Sequence, residues 1–313
     1  VPYPPLLCAS RSRIADASTG VRVVRADERV HKVSDAYVEL ANRVVTASNG
    51  VHYAYRDTAA DSAAVPLVLL QHFRGNLDYW DPALIAELAA SRRVITFDNT
   101  GVAGSSGVTP DTIEQMGADA IAFLTALGLA RVDVLGFSIG SFVAQDVALR
   151  RPSLVRRLVL AASAPKGAAD MHGWAPQVIT AIGEPDTAPE QYLKVFFGSC
   201  EAGLAAGRQA LGRMYGRTLE RDQDTDWATR LAQYDAVCSW GIPDHGALQR
   251  VTALAMPVFI ACGDSDPMIL PRYSHLLAGL IPGAQLSVYP DAAHGFLFQH
   301  HTTFAADVTA FLR

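Results

Sequence analysis

The sequence predicts an α/β fold: a mostly parallel eight-stranded sheet with helices on both faces and a helical segment inserted between two of its strands. Two observations carry this expectation. From about residue 43, short runs rich in β-branched residues alternate with longer segments of helical periodicity, the pattern of strands joined by crossover helices. Several of the runs are apolar throughout, as strands covered on both faces must be.

Taken in order, Arg43–Ala47 and Val51–Arg56 flank Ser48-Asn49-Gly50 and read as an antiparallel hairpin closed by an Asn-Gly turn. Val65–Leu70 (VPLVLL), Arg93–Phe97 (RVITF), Val132–Leu135 (VDVL), Arg157–Ala162 (RLVLAA), Pro257–Ala261 (PVFIA) and Gln285–Tyr289 (QLSVY) supply the remaining strands. Helices fit over Pro82–Ala90, Asp111–Leu127, Ile139–Arg150, Pro271–Leu280 and Phe304–Leu312. Pro82 and Pro271 stand where a first helical turn accepts proline, Asp81 and Asp111 are N-cap candidates, and Gly128 marks a helix stop. Ser163–Thr252 contains helical patches and many aromatic residues but no strand, and residues 164–252 are predicted to form a helical cap over a core of residues 43–163 and 253–313.

Composition narrows the class. The 313 residues are 50% hydrophobic and 18% charged, with a net charge of −5, enough apolar material for a large core. A slightly acidic chain lacks the dense basic surface that a grip on nucleic acid needs. No apolar run reaches the roughly 18–20 residues of a membrane span. Cys8, Cys200, Cys238 and Cys262 are widely spaced, with no metal-ligand spacing and no disulfide framework, so a reducing, cytoplasmic compartment is expected. Residues 1–42 read as an N-terminal extension packed on the domain or trailing from it. Its first ten residues are too short an apolar stretch for a secretory signal, and the arginines that follow, a transit-peptide feature, are offset by Asp16, Asp27 and Glu28.

Chemistry concentrates in three segments. Gly136-Phe137-Ser138-Ile139-Gly140 joins the strand VDVL directly to the helix that begins at Ile139. A serine at such a strand-to-helix elbow is forced into a strained conformation that only small residues two positions away permit, and its hydroxyl emerges at the carboxyl edge of the sheet. That hydroxyl becomes a nucleophile only when an imidazole takes its proton and a carboxylate fixes the imidazole's tautomer. His294, in Asp291-Ala292-Ala293-His294-Gly295-Phe296 after the last strand, is the imidazole best placed by chain order; His300 and His301 read as solvated residues at a helix start. The carboxylate lies in Gly263-Asp264-Ser265-Asp266-Pro267, where Asp266 is favoured as the acid and Asp264 as a maker of turn hydrogen bonds.

With Ser138, Asp266 and His294 in that order, the chain from Arg43 onward resembles the α/β-hydrolase superfamily. It is most similar to the cofactor-free haloperoxidase and esterase-like branch, through Leu70–Pro82 (LQHFRGNLDYWDP), Phe97–Gly107 (FDNTGVAGSSG) and Gly136–Ser141 (GFSIGS). The resemblance implies an oxyanion hole made by the backbone N–H groups of Ile139 and Phe73. It departs from the family at Gln71-His72-Phe73, because relatives carry glycine where this chain has His72. That histidine either brings a second imidazole to the site or turns into packing, and the packing role is favoured. Asp98 and Gly101–Gly107 are expected to shape the neighbouring loop. Phe196 and Tyr215 are expected in the core of the cap, and Trp80, Trp174, Phe197 and Trp240, with His72, are candidates for the pocket lining.

The resemblance implies a serine hydrolase acting on a small apolar ester or acyl substrate, with no metal and no organic cofactor. A perhydrolase using peroxide, a lyase or C–C hydrolase on the same triad, and a low-turnover receptor remain alternatives. Serine at the elbow disfavours haloalkane dehalogenase and epoxide hydrolase chemistry, which uses a carboxylate there.

Overall fold

A computed structural model describes residues 37–59, 63–169, 171–185 and 189–313. Eight strands form one sheet: β1 (Arg43–Thr46), β2 (His52–Asp57), β3 (Leu67–Leu70), β4 (Val94–Phe97), β5 (Val132–Phe137), β6 (Val155–Ala161), β7 (Val258–Gly263) and β8 (Gln285–Tyr289). Their spatial order is β1-β2-β4-β3-β5-β6-β7-β8. β2 is antiparallel to both β1 and β4, and every other neighbouring pair is parallel. The predicted hairpin forms, with Gly50 at φ 81° and its N–H donating to the Ala47 carbonyl at 3.0 Å. β3, β4, β5 and β7 are buried along their whole length, as their unbroken apolar runs require.

Topology places the site. From β3 the chain crosses to β4 on one side, then returns to lay β5 on the other side of β3. The crevice beyond the carboxyl ends of β3 and β5 is therefore a topological switch point, where connections leave in opposite directions and room for a ligand opens.

Helices follow the strands as expected, with local differences at their ends. Asp81 caps the Pro82–Ala89 helix, its carboxylate accepting from the Ala83 N–H at 3.0 Å. Asp111 does not cap the next helix. Thr112 does, because the helix begins at Ile113 and the Thr112 hydroxyl lies 3.3 Å from the Gln115 N–H. The last helix starts three residues earlier than predicted, as His301–Phe311, and is preceded by a short helix, Phe296–Gln299. His300 donates to the Pro290 carbonyl and His301 pairs with Glu87, so neither ring is simply solvated.

Between β6 and β7 the described residues form helices only, chiefly Pro189–Phe197, Glu201–Met214, Trp227–Trp240 and His245–Gln249. This insertion is tied to the sheet by polar contacts. Arg213 makes a two-pronged bond to Asp81 at 2.8 and 2.6 Å, and the Arg74 N–H donates to Gln233 Oε1 at 2.7 Å. Arg217 donates to the Val38 and Leu40 carbonyls, which fastens the end of the N-terminal extension to the insertion. Tyr37 is buried, its hydroxyl donating to the Leu77 carbonyl at 3.1 Å. The rest of the expected extension, residues 1–36 with Cys8, lies outside the described residues. Cys200, Cys238 and Cys262 are free thiols. Among the described residues no helix is long and apolar enough to cross a membrane.

Candidate active site

At the end of β5 the backbone of Ser138 takes φ 57° and ψ −126°, the left-handed side of conformational space that a β-carbon normally avoids. Two close approaches explain the flanking glycines. A β-carbon on Gly136 would lie 2.3 Å from the Gly140 carbonyl oxygen, and one on Gly140 would lie 2.2 Å from the Leu70 carbonyl oxygen. The elbow is held by its own hydrogen bonds: the Ser138 N–H donates to the Ala161 carbonyl of β6 at 2.9 Å, and the Ser141 N–H to the Ser138 carbonyl at 2.8 Å. The side chain reaches the wall of a cavity of about 500 Å³.

His294 reaches the same cavity from the loop after β8. Its Nδ1 lies 2.7 Å from Asp266 Oδ2, and both side chains are fully buried. A carboxylate can only accept, so Nδ1 carries a hydrogen and donates it to Asp266. Among the described residues Nε2 has no partner within hydrogen-bond distance. The Ser138–His294 bond is thus open, as such bonds often are before substrate arrives. The second Asp266 oxygen accepts from the Met268 and Ile269 N–H groups at 2.8 and 3.0 Å, so the acid cannot swing away without stranding two donors. Asp264 is exposed and accepts from the Asp291 and Ala292 N–H groups at 2.9 and 3.2 Å, which clasps the loop that carries His294.

Phe73 and Ile139 stand on either side of the switch-point crevice. Ile139 is the first residue of its helix, where an N–H has no partner within the helix. Phe73 follows β3 in a loop laced by Gln71, whose side chain accepts from the His72 N–H at 2.8 Å and donates to the Asn76 carbonyl at 2.7 Å. The next residue, Arg74, sits at φ 59°, a strained conformation. Asp98 shapes the adjoining loop, one oxygen accepting from the Leu77 N–H and the other from the Gly104 N–H.

His72 lies on the cavity wall, not turned away from it. Its Nδ1 donates to the Phe73 carbonyl at 2.9 Å, and burial pushes its pKa down to about 4, so the ring is neutral at pH 7. The other four pocket candidates lie off the wall. Trp80 is wholly buried beside Phe298. Trp174 packs edge-on to Phe73 and against Tyr234. Phe197 fills the space against Gly207, and Trp240 stacks on Phe142 while its Nε1–H donates to the Ala164 carbonyl. Trp80, Phe197 and Trp240 are buried in the core, and Trp174 is half-buried against it, each ring packed on neighbours instead of facing the cavity.

The lining falls instead to their neighbours. Tyr79 and Phe196 reach the cavity where Trp80 and Phe197 do not, and Tyr215, expected in the cap's core, also lines it. One signal was available. Tyr192 and Phe196 are four residues apart on one helix face, and their rings stack at 4.1 Å. Phe196 in turn meets His294 edge-on at 5.2 Å, and its carbonyl accepts from the Gly295 N–H at 2.6 Å, so this helix seats the loop that carries His294. Arg74 also lines the cavity, its guanidinium bonded to the Ile182 and Glu184 carbonyls of the insertion.

A family model described as the alpha/beta hydrolase fold matches residues 65–301. The chain is an α/β hydrolase. A solved structure of an alpha/beta hydrolase fold protein from Chitinophaga pinensis superimposes with a TM-score of 0.82 at 37% identity, over 88% of this chain and 98% of that one. The non-heme haloperoxidase of Rhodococcus erythropolis is 25% identical over 287 residues, 86% of this chain and 98% of the relative. The pimeloyl-[acyl-carrier protein] methyl ester esterase of Aliivibrio salmonicida is 25% identical over 250 residues, 79% of this chain and 92% of the relative. The predicted superfamily and fold class both hold for this α/β hydrolase.

Proposed function

We propose that this α/β hydrolase cleaves carboxylic esters or related acyl compounds through an acyl-enzyme on Ser138. The observation that carries the reading is the convergence of Ser138, at its strained elbow, and the buried His294–Asp266 pair on one cavity. His294 Nε2, which has no hydrogen-bond partner among the described residues, accepts the Ser138 proton as Oγ adds to the substrate carbonyl. The N–H groups of Phe73 and Ile139 hold the resulting oxyanion. The imidazolium, stabilised by Asp266, returns the proton to the leaving alcohol, and water attacks the acyl-enzyme by the same route in reverse. The helical insertion serves as the cap that closes the acyl pocket. A relative named as a methyl ester esterase supports the choice of ester. In this reading wild-type protein hydrolyses short p-nitrophenyl esters with a burst of p-nitrophenol, and Ser138→Ala abolishes turnover. Unchanged turnover in the variant would overturn it.

The likeness to a protein named as a non-heme haloperoxidase favours one second reading. Hydrogen peroxide replaces water at the acyl-enzyme, the acyl carbon passes from Ser138 to peroxide, and a peracid leaves. Its test is halogenation that requires both peroxide and a carboxylic acid and that is lost in Ser138→Ala.

A further inference from the structure

Three polar side chains are wholly buried behind the elbow, and none of them lines the cavity: Ser141, Gln145 and Ser163. Ser141 Oγ lies 2.5 Å from the Ser138 carbonyl oxygen and 2.7 Å from Ser163 Oγ. Gln145 Nε2 lies 3.0 Å from Ser163 Oγ and 3.1 Å from the Ala164 carbonyl oxygen. The direction of this chain follows from the groups at its ends. A carbonyl can only accept, so the single Ser141 hydrogen goes to Ser138, and the Ala164 carbonyl requires the Gln145 amide nitrogen to face it. That nitrogen gives one hydrogen to Ala164 and the other to Ser163, which leaves the Ser163 hydrogen for Ser141. The bonds thus run one way, from Gln145 through Ser163 and Ser141, and end on the carbonyl of Ser138. A lone helical serine commonly bonds back to the carbonyl three or four residues before it. Here that hydroxyl is itself held from outside the helix, by a residue that follows β6 directly after Ala162 at a strained φ of 48°.

We propose that this relay orients and polarises the Ile139 N–H, which makes Ser141 and Ser163 positioning residues for the oxyanion hole. The inference rests on the serine-hydrolase reading above, in which Ile139 supplies one of the two donors. The link is the peptide unit itself. The Ser138 carbonyl and the Ile139 N–H belong to one planar trans amide and point in opposite directions, so fixing one fixes the other. Anchored by the Ser141 N–H at 2.8 Å and by the Ser141 hydroxyl, the unit resists rocking as charge develops on the substrate oxygen. A hydrogen bond accepted at the carbonyl also draws electron density from the amide nitrogen and strengthens its N–H as a donor, and bonds running in one direction reinforce that effect. The gain falls on the oxyanion and not on the bound ester, so it belongs to kcat and not to KM.

The test joins steady-state kinetics on p-nitrophenyl butyrate to a ¹³C NMR titration of the adduct with butyl trifluoromethyl ketone, labelled at its carbonyl. In that adduct Ser138 Oγ bonds to the ketone carbon, the carbonyl π pair moves onto oxygen, and the Oγ proton passes to His294, so the pKa of the adduct oxygen reports the strength of the hole. Ser141→Ala is expected to lower kcat by about tenfold or more, to change KM by less than about twofold, and to raise that pKa. Ser163→Ala should do the same to a smaller degree. It should add almost nothing in the double variant, because Ser163 acts only through Ser141. If Ser141→Ala fails to fold, Ser163→Ala, which leaves the elbow's own sequence intact, decides on the same two readouts. An unchanged kcat, a loss of kcat without a rise in the adduct's pKa, or independent losses that multiply would overturn the proposal while leaving the serine hydrolase intact. If the wild type forms no adduct, cleaves no ester and is not labelled by a fluorophosphonate at Ser138, the underlying reading falls and this proposal with it.

Discussion

At the carboxyl edge of the sheet, backbone groups hold the reactive atoms; in the insertion above it, side-chain packing shapes the cavity. Ser138 is set by a strained φ and by two glycines with no room for a β-carbon, and Asp266 by two N–H donors. The insertion has no such local rule. Which of its aromatic rings face the cavity depends on how each helix is rotated against the sheet, a property of the whole assembly. The proposed catalytic residues and the cavity lining are therefore encoded differently, the first in short segments and the second in long-range packing.

The largest contrast expected at the sheet edge is between two neighbouring aspartates. Asp266→Asn should lower kcat by about 10⁴-fold, because the amide no longer holds the required tautomer of His294. Asp264→Asn, which loosens only the loop clasp, should cost about tenfold or less, since it touches neither His294 nor substrate. Steady-state kinetics on one ester decides it, and equal losses would show that loop and acid act as one unit.

Across the insertion the informative pair is Phe196 and Phe197. Phe197→Ala should destabilise the fold by about 3–5 kcal/mol, the cost of emptying a fully buried phenyl site, with KM little changed. Phe196→Ala should chiefly raise KM, because that ring lines the cavity and braces His294. Denaturant melts and KM values measured together separate the two, and swapped effects would mean that this helix is rotated from the orientation described.

A smaller effect belongs to the junction of the two regions. Asp98 of the sheet edge and Asp222 of the insertion flank Gly104. Burial, and then Asp222, raises the Asp98 carboxyl well above its usual range, while burial, and then Asp78, raises Asp222 to about 6. Arg56 and Arg217 face Asp222 and only partly offset this. Both pKa values are raised, so the folded protein holds more protons than the unfolded chain between about pH 4 and pH 6, and stability falls as pH rises through that window. Asp222→Asn should raise Tm by a few degrees at pH 8, with the gain vanishing toward pH 4. A gain independent of pH would rule out the carboxylate as its source.

Legibility in the sequence followed the same division. The central strands could be read because buried parallel strands are continuous apolar runs, β1 and β2 because an Asn-Gly turn joins them, and the elbow because its glycines are sterically compelled. The expectation of Ser138, His294 and Asp266 drew on chain order, one strand-to-helix junction and the place of Asp266 three residues beyond Gly263. The pocket was misread by one residue twice, Trp80 for Tyr79 and Phe197 for Phe196. Phe196 and Phe197 share a helix, where neighbours point about 100° apart, while Trp80 is extended just past the short helical turn that ends at Tyr79, and nothing in either local pattern says which residue faces the cavity. His72 answers to both expectations: its ring is packed among Tyr79, Phe137, Phe196 and Phe298, and it also borders the cavity.

The central claim is that Ser138 is the nucleophile and His294 its base. Treating the protein with a fluorophosphonate and mapping the modified peptide by mass spectrometry tests it most directly. The account predicts one phosphonyl group, on Ser138, with labelling at least a hundredfold slower in His294→Ala, an order of magnitude set by losing the general base. No label, a label on another residue, or labelling of Ser138 at the same rate without the imidazole would contradict it.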